Sequence, residues 1–557
     1  MTKRHDAVAV AMLLIIAASL SHAQPSPPPQ QPSPSPPPPI RLEGGISLSS
    51  ELYSSTGISE RRPKQSYRAI LSPTLVIYDQ IRLPFEIFYT NDDRGYRQPF
   101  NQFGMSPTLW GWLTLHGGYF SSRLSELSFG DMRLMGGGVE LTPGDFRLSV
   151  LYGRSQMAVD ADTVNGVRGL YERTIIAAKV GIGAENASYV HLNFVRAWDD
   201  STSLRNAPPD VTPVENVVVS LSYGFPLFDD EVRLTGETAV SAFSSDTRSP
   251  EEGDIGGTFL QSIFTPRRSS QFDGATTLTL GITPSSVFAI NLNGKWVGPG
   301  YVTLGYFQLP NDVFETTIAP TFRLLESRLT VRGSFGLRFN NLRENRYSTT
   351  RRTIGNVFLS AQPSQDFGLD VQYANYGMRS NPRNDTLRID NITQSFSVSP
   401  RYSFPAFGGS GTALVSYARQ DYTDYNTITG TLSDNRSNSG TAMWTLFFPS
   451  SLNLTTSLMY TEATTSAYSM SIAGLNETIG YAFFDNRLST SVTFGYNIVR
   501  VSEADGQINA RFSATYAIPG WGAFTLSLMN NRYDYADPSV SPSYSEALGT
   551  LQYSYGF

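Results

Sequence analysis

Residues able to do covalent or metal chemistry are few. The four histidines include two within the first 23 positions, and the other two, His116 and His191, lie 75 positions apart (191 − 116). The chain has no cysteine, which removes disulfides, thiolate nucleophiles, cysteine zinc sites, iron–sulfur clusters and an N-terminal lipid anchor. No His-x-x-x-His pair and no local His/Asp cluster is present, so the donor set a metal needs is missing. A Ser–His–Asp set could still be assembled across strands, because such sets are defined by geometry. The runs Gly136-Gly137-Gly138 and Gly408-Gly409-Ser410-Gly411 neither open a helix nor precede Lys-Ser/Thr. They therefore fit turns and close packing better than a phosphate loop. No catalytic residue, metal ligand or cofactor is expected, and the chain reads as a non-enzyme.

The placement of charge says more. Charged residues make up only 16% of the chain, against about a quarter in ordinary soluble domains. Glu140, Arg147, Arg233, Glu237, Lys295, Arg332, Arg338, Asp370 and Arg401 each sit at the polar phase of an alternating segment. In a closed sheet that phase points into the lumen. Two readings follow: these charges hydrate the interior and pair across strands, or they set a mixed field that selects solutes.

The elements that would position them are strands. From about Leu42 onward the hydrophobic period is two. Leu329, Val331, Gly333, Phe335, Leu337 and Phe339 share one face, against Thr330, Arg332, Ser334, Gly336, Arg338 and Asn340. Leu488, Val492, Phe494, Tyr496 and Ile498 likewise oppose Ser489, Ser491, Thr493, Gly495 and Asn497. These segments exceed the usual strand of about 5–6 residues. Short turns recur at Asp79-Gln80, Gly111-Trp112, Pro143-Gly144-Asp145, Pro284-Ser285, Pro449-Ser450-Ser451, Asp485-Asn486 and Pro519-Gly520. Between them lie longer polar stretches at 158–170, 200–213, 245–270, 341–351 and 426–437. Aromatics such as Tyr152, Trp198, Phe225, Trp296 and Trp521 gather near segment ends. Long strands, alternating connection lengths and aromatic girdles together mark a transmembrane barrel rather than a soluble sandwich. Lipid offers no partner to an open edge, so the sheet must close.

The expected fold is therefore all-β: one large antiparallel transmembrane β-barrel over 40–557, with about 26 strands in a range of 22–28. Short periplasmic turns and longer outer loops would connect them. The strands around 103–122 are the hardest to delimit. Aromatic and β-branched residues are too abundant for disorder. After the N-terminus no apolar run reaches the roughly 20 residues of a helical span. A net charge of −6 argues against nucleic acid as a partner.

Lys3, Arg4 and His5 followed by the apolar run Ala7–Leu20 and Ser21-His22-Ala23 read as a secretory signal peptide, 1–23, cleaved after Ala23. Residues 24–39 carry ten prolines in sixteen positions. Such a run is a semi-rigid polyproline spacer about 50 Å long, read as a periplasmic linker or a docking motif. Tyr553, Tyr555 and Phe557 form a period-two aromatic row. There the chain resembles Gram-negative outer-membrane barrels, whose final strand ends in an aromatic residue. The segments QPFNQFGMSP (98–107) and GGGVELTPGDFRLSVLYGR (136–154) resemble a family of large, uncharacterised outer-membrane barrels, best over 85–200. The resemblance implies location in the cell outer membrane, surrounded by its lipid. It also implies that the barrel insertion machinery reads the C-terminal row as an assembly signal; it supplies no catalytic residue. The expected function is a porin-like channel for polar solutes. The alternative is a structural or secretion-associated barrel whose lumen holds a plug or a periplasmic partner protein. No plug domain precedes the first strand, so loops narrow the lumen, a partner fills it, or leakage is tolerated. The longest loop, 245–270, has two readings: it folds over or into the barrel, or, as favoured, it is a solvated surface loop.

Overall fold

The computed structural model describes residues 39–91, 102–130, 132–162, 166–205, 207–252, 263–382, 388–426, 428, 433–537 and 541–557. The stretches read as signal peptide and linker fall outside them, apart from Pro39. The strands are β1 (Ile40–Thr56), β2 (Gln65–Ile77), β3 (Ile81–Thr90), β4 (Gln102–Met105), β5 (Thr108–Leu109), β6 (Leu113–Ser122), β7 (Met132–Leu141), β8 (Phe146–Gln156) and β9 (Glu172–Gly183). They continue as β10 (Tyr189–Asp200), β11 (Glu215–Leu227), β12 (Val232–Ser244), β13 (Ser270–Ile282), β14 (Phe288–Val297), β15 (Val313–Leu324), β16 (Leu329–Asn340), β17 (Ser348–Ala361) and β18 (Phe367–Pro382). The last nine are β19 (Asp390–Ala406), β20 (Gly409–Asp424), β21 (Asn435–Phe447), β22 (Leu452–Thr465), β23 (Ser469–Phe483), β24 (Leu488–Arg500), β25 (Ala504–Ile518), β26 (Gly522–Asp534) and β27 (Tyr544–Gly556).

Apart from β4 and β5, each strand pairs antiparallel with its neighbours in the chain, and β27 returns to β1 from Gly45↔Gly556 to Thr56↔Ser545. Two further bonds lock the seam: Gly44 N donates to Phe557 O at 2.8 Å, and Phe557 N donates to Gly44 O at 3.1 Å. β4 and β5 are two halves of one stave, both facing β3 and β6 and interrupted at Ser106-Pro107. Proline has no N–H for the ladder, which explains why this region resists delimitation from sequence. The closed barrel thus has 26 staves, an even number with both ends of the wall at one rim.

Pleating puts successive side chains on opposite faces. One face is apolar and bare: Phe335 and Leu337 of β16 and Val492 and Phe494 of β24 are all exposed. This is the lipid-facing band of a transmembrane barrel. The other face is polar. Connections at the rim holding both ends of the wall are tight. At 78–80, 228–231, 325–328 and 484–487 they run through consecutive residues with positive φ, such as Phe484, Asp485 and Asn486 (53°, 54°, 67°). Asp and Asn tolerate that region better than most side chains. The opposite rim carries the longer loops, here called the loop end. Its loops fall close to the expected positions, although β17 begins at Ser348 and β21 at Asn435, which shortens two of them.

Candidate functional site: the lumen and its inserted segments

Register places the nine charges on one face of the wall. Glu237 opposes Thr277, which opposes Lys295, then Glu315, then Arg338. Arg233 shares the phase of Glu237 on β12. On the other side, Glu237 opposes Ser222 and thence His191, Gly181 and Arg147. Glu140 opposes Ser149, two residues along β8 from Arg147. Arg332 opposes Phe358, Asp370 opposes Ser360, and Arg401 opposes Gly368, all in the same phase. This face is opposite in phase to the exposed apolar residues, so it lines the lumen.

These residues are not alike in their surroundings. On one side, at β6–β15, the lumen face carries apolar residues: Leu134, Leu151, Ile175, Val195 and Val218 are all 0% exposed. Two loop-end segments fold in to cover them, residues 123–130 and residues 298–312. Leu124, Leu127 and Phe129 from the first, with Tyr301 from the second, join the wall residues in one buried cluster. Bare apolar side chains in a watery lumen would cost about 1.5–3 kcal/mol each relative to burial. The cluster explains why the segments lie inward.

Polar contacts fix how they lie. Tyr301 Oη donates to Leu127 O at 2.8 Å, Thr303 Oγ1 to Ser128 O at 2.7 Å, and Tyr306 Oη to Ser125 O at 2.6 Å. Gly130 N donates to Gly305 O at 3.2 Å. A Cβ on Gly305 would fall 2.2 Å from Ser128 O, so this contact needs glycine. Wall side chains hold the pair, Ser241 among them, whose Oγ donates to Val302 O at 2.5 Å. Glu237, 3% exposed, accepts from Glu126 N at 2.8 Å and Leu127 N at 3.0 Å. Asn216 Nδ2 donates to Val302 O at 2.9 Å, and its Oδ1 accepts from Leu304 N at 2.9 Å. Asp273 accepts from Gly300 N at 2.8 Å and from Arg343 at 2.7 Å. Lys295 Nζ reaches Glu126 at 3.4 Å.

Of the other expected residues, Arg147 donates to the Gly144 and Phe146 carbonyls at the adjacent turn. Arg233 donates to the carbonyls of Glu185, Asn186 and Ala187. Arg338 approaches Glu315 at 3.9 Å. Among the described residues, no ion pair is recorded for Arg332, Asp370 or Arg401. Lumen charge therefore divides into anchors for the inserted segments, braces for turns, and free groups on the uncovered wall.

The two histidines stand apart. His116 opposes Ser106 at the broken stave: Ser106 Oγ lies 2.8 Å from Nδ1, and Glu140 Oε1 lies 3.2 Å from Nε2. The ring stacks on Phe120, and Ser122 also donates to Glu140, at 2.7 Å. These contacts tie the gap at Ser106-Pro107 to β6 and β7, replacing ladder bonds that Pro107 cannot make. His191 Nε2 lies 3.1 Å from Gly183 O, beside the buried Asn193–Ser220–Ser222 set. No group of three or more His, Asp or Glu suited to a metal occurs among the described residues.

Sequence reasoning missed the inserted segments. Insertion was weighed only for 245–270, and the described parts of that loop pack at the rim. There Glu251 pairs with Arg267, and Phe264 is buried against Phe272. Hydrogen bonds from Arg248 lower the Asp246 carboxyl below its ordinary range. The signal for insertion was composition. Residues 298–312, GPGYVTLGYFQLPND, are too rich in Tyr, Phe, Leu and Val for a water-exposed loop.

No protein-family model matches the chain, and no curated protein matches it. Among solved structures it is similar to the translocation pore of the P pilus usher PapC, at 11% identity and TM-score 0.38, covering 92% of this chain and 99% of that one. It is also similar to the siderophore receptor PirA of Pseudomonas aeruginosa, at 11% identity and TM-score 0.38, covering 92% and 80%. A third is the ferric enterobactin receptor of the same organism, at 10% identity and TM-score 0.41, covering 92% and 80%. Fold and site rest on the chain's own geometry.

Proposed function

We propose that the protein is an outer-membrane channel for polar solutes, its lumen narrowed from one wall by residues 123–130 and 298–312. The observation that carries this reading is the asymmetry of the lumen. Inserted chain covers the β6–β15 wall. Among the described residues, no loop segment packs on the polar inner face of β18–β27. The arithmetic of closure supports it. Twenty-six strands about 4.8 Å apart and tilted about 40° give a round barrel about 50 Å between opposite backbones. One inserted layer occupies about 10 Å of that, so it narrows the lumen without filling it. In this reading residues 1–23 direct export and 24–39 form a periplasmic tether. The loop end faces the cell exterior. The row Tyr553, Tyr555 and Phe557 serves assembly by the insertion machinery. Of the nine lumen charges, Glu237 and Lys295 hold the narrowing, Arg147 and Arg233 brace turns, and Arg332, Asp370 and Arg401 face the solute path.

The test is a planar-bilayer recording of purified, verified folded protein. Large, stable steps are expected. Silent bilayers would refute the open channel and favour a barrel that needs a partner protein in its lumen.

A further inference from the structure

One cross-strand row on the outward face changes character part-way along. Trp296 opposes Phe314, Phe314 opposes Phe339, Phe339 opposes Arg351, and Arg351 opposes Arg379. The first three rings belong to an aromatic girdle, with Phe314 and Phe339 5.1 Å apart. The row then ends in two directly opposed guanidiniums. Like charges placed this way destabilise a sheet unless something neutralises them. Asp390 does so in part: it lies 3.6 Å from Arg379 and 3.1 Å from Arg388. Arg351 is exposed, and no ion pair is recorded for it among the described residues. Among the described residues, Arg379 and Arg388 thus share the Asp390 carboxylate, and Arg351 pairs with none.

The two arginines border a cleft of about 440 Å³ lined by Phe339, Thr349, Arg351, Arg379 and Asn381. Thr349 opposes Asn381 one step further toward the loops. Thr349 Oγ1 accepts from Asn341 Nδ2 at 2.8 Å, which leaves its own O–H to donate. Two guanidinium forks, a hydroxyl and a carboxamide thus face one space, a donor-rich set suited to a phosphate.

Its height on the wall says whose phosphate. Along β16 the outward face runs from Leu329 to Phe339, ten residues on. At about 3.3 Å per residue and a tilt of about 40°, that spans about 25 Å, the height of the apolar band of such barrels. The cleft opens at the upper edge of the band, beside its aromatic girdle, where lipid headgroups lie. Below it Leu337 and Phe335 continue the same face and present an apolar track for acyl chains.

We propose that this cleft binds the phosphate of an anionic membrane lipid in the leaflet at the loop end. Arg351 and Arg379 hold the phosphate, and Leu337 and Phe335 lie along its chains. The site is independent of the channel reading, since it uses only the lipid face.

The test is a binding titration of the detergent-solubilised, folded barrel, with bound lipid counted by native mass spectrometry. The probes are diphosphorylated lipid A, the same lipid stripped of phosphate, and inorganic phosphate. Wild type is expected to bind the phosphorylated lipid about tenfold or more tightly than R351Q/R379Q does, as the loss of charge-assisted bonds requires. The stripped lipid is expected to bind both proteins alike, and excess inorganic phosphate is expected to leave the lipid bound. Equal binding of phosphorylated lipid by wild type and variant would overturn the proposal. So would displacement by inorganic phosphate, which would make the site one for free anions. Should the double variant fold poorly, R351Q alone decides, because Arg351 is exposed and pairs with no carboxylate among the described residues.

Discussion

Leu127→Asp should release the inserted layer without unfolding the wall. Leu127 is 0% exposed at the centre of the lumen cluster, and its backbone N–H is already held by the Glu237 carboxylate at 3.0 Å. The substitution removes about 1.5–3 kcal/mol of apolar burial. It also sets a second carboxylate beside Glu237, and burying an unpaired charge costs several kcal/mol more. What remains in favour of insertion on this segment is the burial of Leu124 and Phe129, together about 3–6 kcal/mol, the Lys295–Glu126 pair, the bonds from Tyr301, Thr303 and Tyr306, which join the two inserted segments to each other and not to the wall, and the Glu237 contacts, which the new charge opposes. The balance therefore falls toward expulsion. The barrel itself closes through a continuous ladder from β1 to β27 and does not depend on residues 123–130 for any strand pairing. Folded protein should be recovered in normal amount by heat-modifiable migration, and its single-channel step should exceed that of wild type. Glu237→Gln keeps the shape and the acceptor oxygen, so it should give a smaller change in the same direction. A folded L127D protein with the wild-type step size would refute the reasoning, since the inserted layer would then not narrow the path.

Two further outcomes are expected. Phe335→Arg places a guanidinium on the lipid face, where it costs about 2–4 kcal/mol near the midplane, whereas Ser334→Arg points into the lumen. Outer-membrane fractions should show little folded F335R and ordinary amounts of S334R; equal amounts would mean the assigned faces are wrong. Deleting Phe557 removes both hydrogen bonds to Gly44 at the seam, where hydrocarbon offers no replacement, and should lower the folded fraction in the same gel assay. An undiminished folded band would remove any role of that residue in closure.

The wall was legible in the sequence because a barrel strand obeys one rule along its whole length. Leu329 to Asn340 alternates without a break and becomes β16 with the same bounds. The turns at Asp79-Gln80 and Asp485-Asn486 were legible because Asp and Asn are the side chains that best tolerate positive φ, and Asp79, Asp485 and Asn486 all adopt it. Alternation also placed the nine charges on their face, since register only propagates a parity each strand already carries. The stave broken at Ser106-Pro107 was obscure for a local reason: a proline interrupts the ladder, and a contact between residues ten positions apart, Ser106 and His116, bridges the gap.

The lumen's contents depend on something parity does not encode. Whether Glu237 hydrates a pore or caps two backbone N–H groups is decided by residues 126 and 127, about 110 positions away. Yet the wall strands carried a trace of the answer. Leu134, Leu151, Ile175, Val195 and Val218 are large apolar residues in the polar phase of strands that otherwise mostly keep polar or small residues there. In a single strand such an exception is noise. On five strands facing one lumen it defines a dry patch, and a dry patch inside a water-filled barrel requires a cover from the same chain or from a partner. Tyr301 and Phe129, in loops too apolar to remain in water, supply that cover. Exceptions to alternation on one face, matched with apolar loops at the adjoining rim, therefore locate an inserted segment without any contact being known in advance.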